Sequence, residues 1–518
     1  MSGGALSSVH SYHTPRICRR WQFLSDGYKM QFTSPLFIFI FLPLMAAAQA
    51  LTPAHRRRWT ILACGLVFYV LANLKTPVSI LFLAVSAAFA YCAAYAVYVS
   101  RKKPKKTVLV FSVFVCIAML AVLRVLGVRL EAYDVTFLPL GVSVYLLAAV
   151  SMLIDISRGD AEPPASFADA LLYIGFFPVL VAGPIIKYKD FIRKSSDEEL
   201  EFSLTGVANG LVLFARGFIK RIGVSAILAG AYDDISSLAV SEENLNLGVG
   251  MFLVLLMLTN VYFAFSGYSD MGRGLALIMG IKLDNDFHYP FAACTPFEYI
   301  NRFFVSLTAF LDDYLAQPLE RMICGAAGTE PGKRDLRRGT AAFLAGMLVA
   351  TLTALWFKAS LPMLVAFLPL ILLSAAERTV RACGTSGGLV RRNLATRIVG
   401  RVITLALVSL FWTQLKLRSV GQLVDYFRTL TVIGSYQSYR LYMTIYNREY
   451  LFAALVALWL LLPALLGLCG VDWSRGKAGT VLRTLYCGGI IALFVFSIYV
   501  VMPQYPEYAM SPFKYITF

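Results

Sequence analysis

The chain has 518 residues, of which 58% are hydrophobic and only 15% charged. A soluble protein carries roughly 25% charged residues, so there is too little polar surface here for a water-soluble fold. The net charge of +17 does not argue for nucleic acid, because the basic residues sit beside apolar runs at Arg56–Arg58, Arg101–Lys106, Lys333–Arg338 and Arg391–Arg392. That is where the positive-inside rule places the cytoplasmic loops of a membrane protein.

In chain order, residues 1–29 are polar, include a lone Cys18 and lack the apolar core of a signal peptide. The change in composition at Met30 leads us to expect translation to begin there, with 1–29 a dispensable extension and 30–518 a single transmembrane domain. The apolar runs that follow are Pro35 to Leu51, Trp59 to Leu74, Val78 to Val99, Val108 to Leu126, Leu204 to Ala229, Leu247 to Met279, Ala341 to Leu373, Val402 to Leu415, Leu451 to Leu468 and Val481 to Val501. With partial spans counted, they predict an all-α polytopic bundle of roughly 11–13 membrane helices. They lack the period-two alternation of a β-barrel. With Arg56–Arg58 inside, Arg101–Lys106 is also inside and the loop Arg129–Thr136 outside.

The nine cysteines form no CxxC pair, and most lie within apolar runs, so neither a metal site nor a disulfide framework is expected. Two segments are irregular. Phe137 to Ser143 places Pro139 and Gly141 beside a run ending at Asp155, and Phe176-Phe177-Pro178 with Gly183-Pro184 breaks the next. Such backbone fits either a kinked, packed bundle or the lining of a central funnel. Phe265 to Asp270 is a polar island in the longest run, and an acid there should face the bundle interior. Its Ser266-Gly267 pair permits close helix contact. Thr295-Pro296-Phe297-Glu298 reads as a capping box opening a helix that should run to about Pro318. In it, Glu298 and Arg302 are spaced for an ion pair, and Asp312 and Asp313 follow Ser306. The expected funnel-lining residues are Glu298, Arg302, Ser306, Ser266, Tyr268 and Asp270.

The ordered set of motifs resembles the membrane-bound O-acyltransferase (MBOAT) family, in the bacterial branch of alginate O-acetylation and D-alanyl-lipoteichoic acid transfer proteins. The similarity runs through Met30 to Ser34, Leu138 to Ser143 with Tyr145, Asp155 and Arg158, Phe176 to Pro178, Ala182 to Ile185, Gly217 to Arg221, Phe265 to Met271 and Asn285 to Pro290. Each motif is weak alone; their preserved order is specific. The resemblance implies a multi-pass protein of the bacterial cytoplasmic membrane, its helices arranged around a central funnel. Its relatives take an acyl group from a cytoplasmic thioester or acyl carrier protein and pass it to a surface polymer, often with an extracellular acyltransferase or polymer-synthesis subunit as partner. It implies membrane lipid as the surroundings and no bound cofactor, metal or nucleic acid.

The chain departs from the family at its chemistry. The resemblance implies histidines at the positions held by Phe304 and Phe357, within Arg302-Phe303-Phe304-Val305-Ser306-Leu307 and Leu355-Trp356-Phe357-Lys358-Ala359. Histidine is the side chain best suited to take a proton from an attacking hydroxyl near neutral pH, and phenylalanine has no such capacity. Of the four histidines, His10 and His13 lie in the extension, His55 adjoins a basic loop, and His288 is expected at the surface. Taken alone, Phe304 and Phe357 read as core. Against the family pattern they suggest a reaction centre turned into core. The expected function is therefore a non-catalytic binding or assembly subunit in O-acylation of a surface polysaccharide. Two readings compete with it. One is an active acyltransferase using Lys358 as a base with Asp312, Asp313 or Glu298; against it, Lys358 also reads as a cation snorkelling at a span end. The other is a transporter-like conduit, for which no duplicated halves are evident.

Overall fold

Within lipid, backbone polar groups must be paired inside the segment that carries them. The apolar runs accordingly fold as helices in this computed structural model, which describes residues 30–74, 76–101, 107–131, 139–196, 202–241, 246–325, 331–357, 361–383, 393–413, 447–468 and 476–506, with isolated positions between them. In order they are α1 (Leu42–Leu51), α2 (Arg57–Ala72), α3 (Pro77–Ser100), α4 (Thr107–Glu131), α5 (Val142–Arg158), α6 (Phe167–Ile174), α7 (Phe177–Leu180), α8 (Tyr188–Lys194), α9 (Leu204–Phe218) and α10 (Ile227–Ser241). There follow α11 (Leu247–Ile278), α12 (Pro296–Arg302), α13 (Val305–Leu311), α14 (Gln317–Cys324), α15 (Pro331–Phe357), α16 (Leu361–Ala382), α17 (Leu394–Thr413), α18 (Arg448–Leu468) and α19 (Gly476–Phe496). The extension 1–29 lies outside the described residues.

The chain is an all-α, multi-pass membrane protein. Among the described residues six helices are long and apolar enough to cross a membrane: Pro77–Ser100, Leu247–Ile278, Arg337–Phe357, Met363–Ala382, Ala395–Thr413 and Val481–Gln504. Three shorter apolar helices accompany them, at Phe37–Leu51, Thr107–Leu123 and Phe167–Leu180. Other apolar runs are broken rather than continuous. The run from Leu204 is divided by a π-turn at Ile219–Ala226. Helix α5 begins after Gly141 and stops at Gly159, both in the left-handed region at φ +74° and +82°. Large apolar side chains such as Leu81, Phe114, Leu451 and Leu485 are exposed around the bundle. That would be a liability in water, and it is the ordinary surface in lipid.

Two close approaches set the interior. Helices α9 and α11 cross at paired glycines: a Cβ on Gly217 would lie 2.5 Å from the Gly267 carbonyl oxygen, and one on Gly274 would lie 2.6 Å from that of Gly210. Packing between membrane helices relies on such small residues, because lipid supplies no hydrophobic drive to bring helices together. The broken segment at Pro178 packs on the same helix, where a Cβ on Gly272 would come within 2.3 Å of the Pro178 carbonyl oxygen.

The helix expected from Thr295 to about Pro318 is interrupted. Helix α12 ends at Arg302, Phe303 is extended, Phe304 is left-handed at φ +63°, and α13 starts at Val305. A π-turn at Asp312–Ala316 then leads into α14. The cause is tertiary. Phe303 forms an isolated antiparallel bridge with Phe287, the His288 N–H donates to Arg302 O and the Val305 N–H to Asp286 O, each at 2.9 Å. The 285–288 segment thus replaces the intrahelical bonds that the break removes.

Candidate functional site

Phe304 and Phe357 meet. Their ring centroids are 6.0 Å apart at an interplanar angle of 78°, the edge-to-face arrangement that aromatic quadrupoles favour. Phe265, from the polar island of α11, stands edge-on to both at 5.6 and 5.4 Å. Trp412 of α17 closes the cluster at 4.9 Å from Phe357 and 5.0 Å from Phe303. Its indole N–H donates to the Tyr299 hydroxyl at 2.9 Å. Phe304 and Phe357 are each 2% exposed. The bundle interior at these positions is therefore a packed aromatic core built from α11, α12, α15, α17 and the 285–304 connection.

Phe304 reaches this core only through its left-handed backbone, a conformation that costs a bulky residue about 1–3 kcal/mol and persists where the surroundings over-determine it. Asp286 is one such constraint. Its Oδ1 accepts from the Ser306 N–H at 2.6 Å, while the Ser306 Oγ accepts from the Ile185 N–H at 2.8 Å. One carboxylate thus supports the start of α13, and one hydroxyl ties it to the irregular Gly183-Pro184 segment. Asp286 is buried, and its Oδ2 has no hydrogen-bond partner among the described residues. Burial raises its carboxyl; the Ser306 backbone N–H and hydroxyl, with Arg273, oppose this, and the balance leaves it pushed up to about 6.

The remaining expected residues fall into separate groups. Glu298 and Arg302 form their ion pair on α12, and both are half-buried. Thr295 caps the helix, accepting from the Glu298 N–H at 3.2 Å. The return bond of the expected capping box is displaced by one residue: Glu298 accepts from the Cys294 N–H at 2.7 Å. Asp312 pairs with Arg378 at 2.6 Å. Asp313 pairs with Lys187 at 2.7 Å, Arg158 at 2.8 Å and Lys189 at 3.6 Å. Partial burial would raise the Asp313 carboxyl, but the bonds from Lys187 and Arg158 prevail and hold it near 2. Lys358 lies outside the described residues. His288 is exposed.

The polar island is buried as expected, but its acid is fully engaged. Asp270 accepts from Lys220 at 2.7 Å and from Arg216 and Arg273, each at 3.0 Å. Ser266 and Ser269 are buried with hydroxyls that find no partner among the described residues, and Tyr268 packs its ring against the Arg221 guanidinium at 5.6 Å. Sequence reasoning missed Arg216, Arg273 and Asp286. Two of them carried a signal: Arg216 lies four residues before Lys220, and Arg273 three after Asp270, so each shares a helix face with a residue already singled out.

A bundle of apolar helices with broken segments around a buried centre defines a class of multi-pass membrane proteins. Residues 66–321 match the model of MBOAT, the membrane-bound O-acyltransferase family. This stretch includes Phe304 and is an MBOAT domain. The chain is 29% identical to the probable alginate O-acetylase AlgI of Pseudomonas putida, over 55% of this chain and 60% of that protein. It is 26% identical to the peptidoglycan O-acetyltransferase of Helicobacter pylori, over 56% and 61%. It is 25% identical to the teichoic acid D-alanyltransferase of Bacillus subtilis, over 34% and 44%. The matches thus span about 60% of the length of the first two relatives.

Proposed function

We propose that this chain is a non-catalytic MBOAT homologue that acts as a binding or assembly subunit in O-acylation, of the acetylation or D-alanylation class, of a cell-surface or exported polysaccharide. Its place in this reading is the bacterial cytoplasmic membrane. Its partners would be an acyl carrier protein on one side and an extracellular acyltransferase or polymer-synthesis subunit on the other.

The observation that carries the proposal is the contact of Phe304 with Phe357. In the family resemblance these positions hold the histidines of the reaction. Proton transfer by a placed base contributes about 10²–10⁴-fold to such reactions, and orientation of the reactants contributes more. Here both positions carry groups that accept no proton and fill the space where reactants would meet. The candidate acids support the same reading: Asp313 is held near 2 by three cations, which makes it a weak base, and Asp312 is paired with Arg378.

The test is acyl transfer by the purified full chain in lipid discs. Donors are an acetyl thioester and a D-alanyl carrier protein; acceptors are alginate, peptidoglycan fragments and lipoteichoic acid. Transfer should not exceed the protein-free control. Turnover that disappears in Lys358→Ala would overturn the proposal in favour of a relocated lysine base. Turnover that survives Lys358→Ala would overturn it and exclude that base as well.

A further inference from the structure

The charge cluster on α11 is unbalanced. Arg216 of α9, Lys220 of the π-turn after it, and Arg273 of α11 converge on the two carboxylate oxygens of Asp270. The Lys220 and Asp270 side chains are 11% and 4% exposed, whereas Arg216 keeps 31% of its side chain accessible, so the cluster is open on that side. Among the described residues a further acid in its field is Asp286, which is felt by Arg273 and stands one residue from Asn285, an Arg273 partner at 3.2 Å. Among the described residues, three cations facing one contacting carboxylate leave an excess of two positive charges, or one if Asp286 is counted as ionised.

Such an excess is costly. An ion taken from water into a protein interior pays several kcal/mol unless it is paired, and cations inside a membrane bundle ordinarily find a partner. Lysine can relieve the cost by losing its proton; a guanidinium cannot. Two of the three cations are guanidinium groups, so discharge of Lys220 would still leave two fixed charges on one carboxylate. The donors are not used up either: the Nε of Arg273 is buried and has no hydrogen-bond partner among the described residues. The π-turn that delivers Lys220 is a type of backbone irregularity often found at functional sites.

From this geometry we infer that Arg216, Lys220 and Arg273 form a binding site for a phosphate group, approached from the Arg216 side. Two guanidinium forks and an ammonium suit the charge and the bidentate oxygen geometry of a phosphate monoester or diester. Asp270 holds the three cations in place, so that the ligand meets a pre-arranged set of donors. The shared chemistry fits either inorganic phosphate or the headgroup of an anionic phospholipid. The inference does not depend on whether the chain transfers acyl groups, and the outcome of that assay does not bear on it.

The experiment uses the full chain, delipidated in a neutral maltoside detergent. Equilibrium dialysis with radiolabelled orthophosphate reads one source. Titration with short-chain phosphatidic acid, followed by native mass spectrometry, reads the other. Saturable binding of one probe is expected, weakened about tenfold or more by Arg273→Gln and by Arg216→Gln, as loss of a charged hydrogen bond implies. Arg273→Lys should weaken it less, and Lys194→Gln, which alters a basic residue paired elsewhere with Asp284, should leave it unchanged. Binding of orthophosphate identifies free phosphate as the ligand; binding of phosphatidic acid alone identifies a lipid headgroup. Failure of both probes to saturate, or binding that persists unchanged in Arg273→Gln and Arg216→Gln, overturns the inference. Should those variants not fold, the unsubstituted chain still decides. A melting temperature that rises no more with either probe than with chloride at equal ionic strength overturns it, and a probe-specific rise supports it.

Discussion

Replacing Phe357 by alanine tests whether the centre of the bundle is a packed core or a chamber. Phe357 is 2% exposed and its ring meets those of Phe265, Phe303, Phe304, Phe411 and Trp412. In a soluble core, Phe→Ala costs about 3–5 kcal/mol, partly from transfer out of water and partly from the cavity left behind. Within a membrane the transfer part shrinks, because the separated helices face lipid rather than water. The cavity part remains: at about 24 cal/mol per Å³, a void of roughly 100 Å³ costs about 2.4 kcal/mol. Lost edge-to-face contacts add about 0.5–1.5 kcal/mol for each well-placed pair. With the cavity term and one such pair at its full value, the expected loss is about 3–4 kcal/mol. It can be read from reversible unfolding in mixed micelles, monitored by tryptophan fluorescence and circular dichroism. The double variant with Phe304→Ala should show a coupling of about 0.5–1.5 kcal/mol, since the two rings touch. A loss below about 0.5 kcal/mol, the size of an ordinary surface change, together with strict additivity would refute the packed-core reading.

Three further outcomes follow from particular contacts. At Phe304, where φ is +63°, glycine should be more stable than alanine by about 1 kcal/mol, the reverse of the usual helix order; unfolding midpoints of Phe304→Gly and Phe304→Ala give the comparison. Gly217→Ala should destabilise the α9–α11 crossing and lower the melting temperature, because its Cβ would lie 2.5 Å from the backbone oxygen of Gly267, an atom that cannot move aside without shifting a helix. Asp286 supplies the pH dependence. Its folded carboxyl titrates at about 6, above the ordinary carboxylate value, so the folded state holds the proton more tightly. Stability should therefore fall as pH rises from about 4 through 6, by an amount on the order of 2–3 kcal/mol. Asp286→Asn, which keeps an acceptor for the Ser306 N–H, should remove that fall, and parallel slopes in the two proteins over pH 4–7 would contradict the assignment.

The membrane class, the helical fold and the family resemblance were legible in the chain because they rest on local properties. An apolar run of bilayer length must close its own hydrogen bonds as a helix, and short motifs keep their order whatever their depth in the bundle. Phe304 and Phe357 stood out for the same reason, since their flanking residues mark the positions. The capped start at Thr295 and the Glu298–Arg302 pair were likewise local, being set by spacing along one helix. The break after Arg302 was not, because the bonds that replace the helix come from 285–288, and no property of 296–318 alone announces them. The engagement of Asp270 depended on the glycine crossing of α9 and α11, which brings Arg216 and Lys220 across to it from positions 54 and 50 residues away. Asp286 passed unnoticed because its significance comes from burial and from the N–H of Ser306, twenty residues on. Which polar residues are satisfied, and which are left with an unmatched charge or an orphaned oxygen, was decided by the packing of helices against one another.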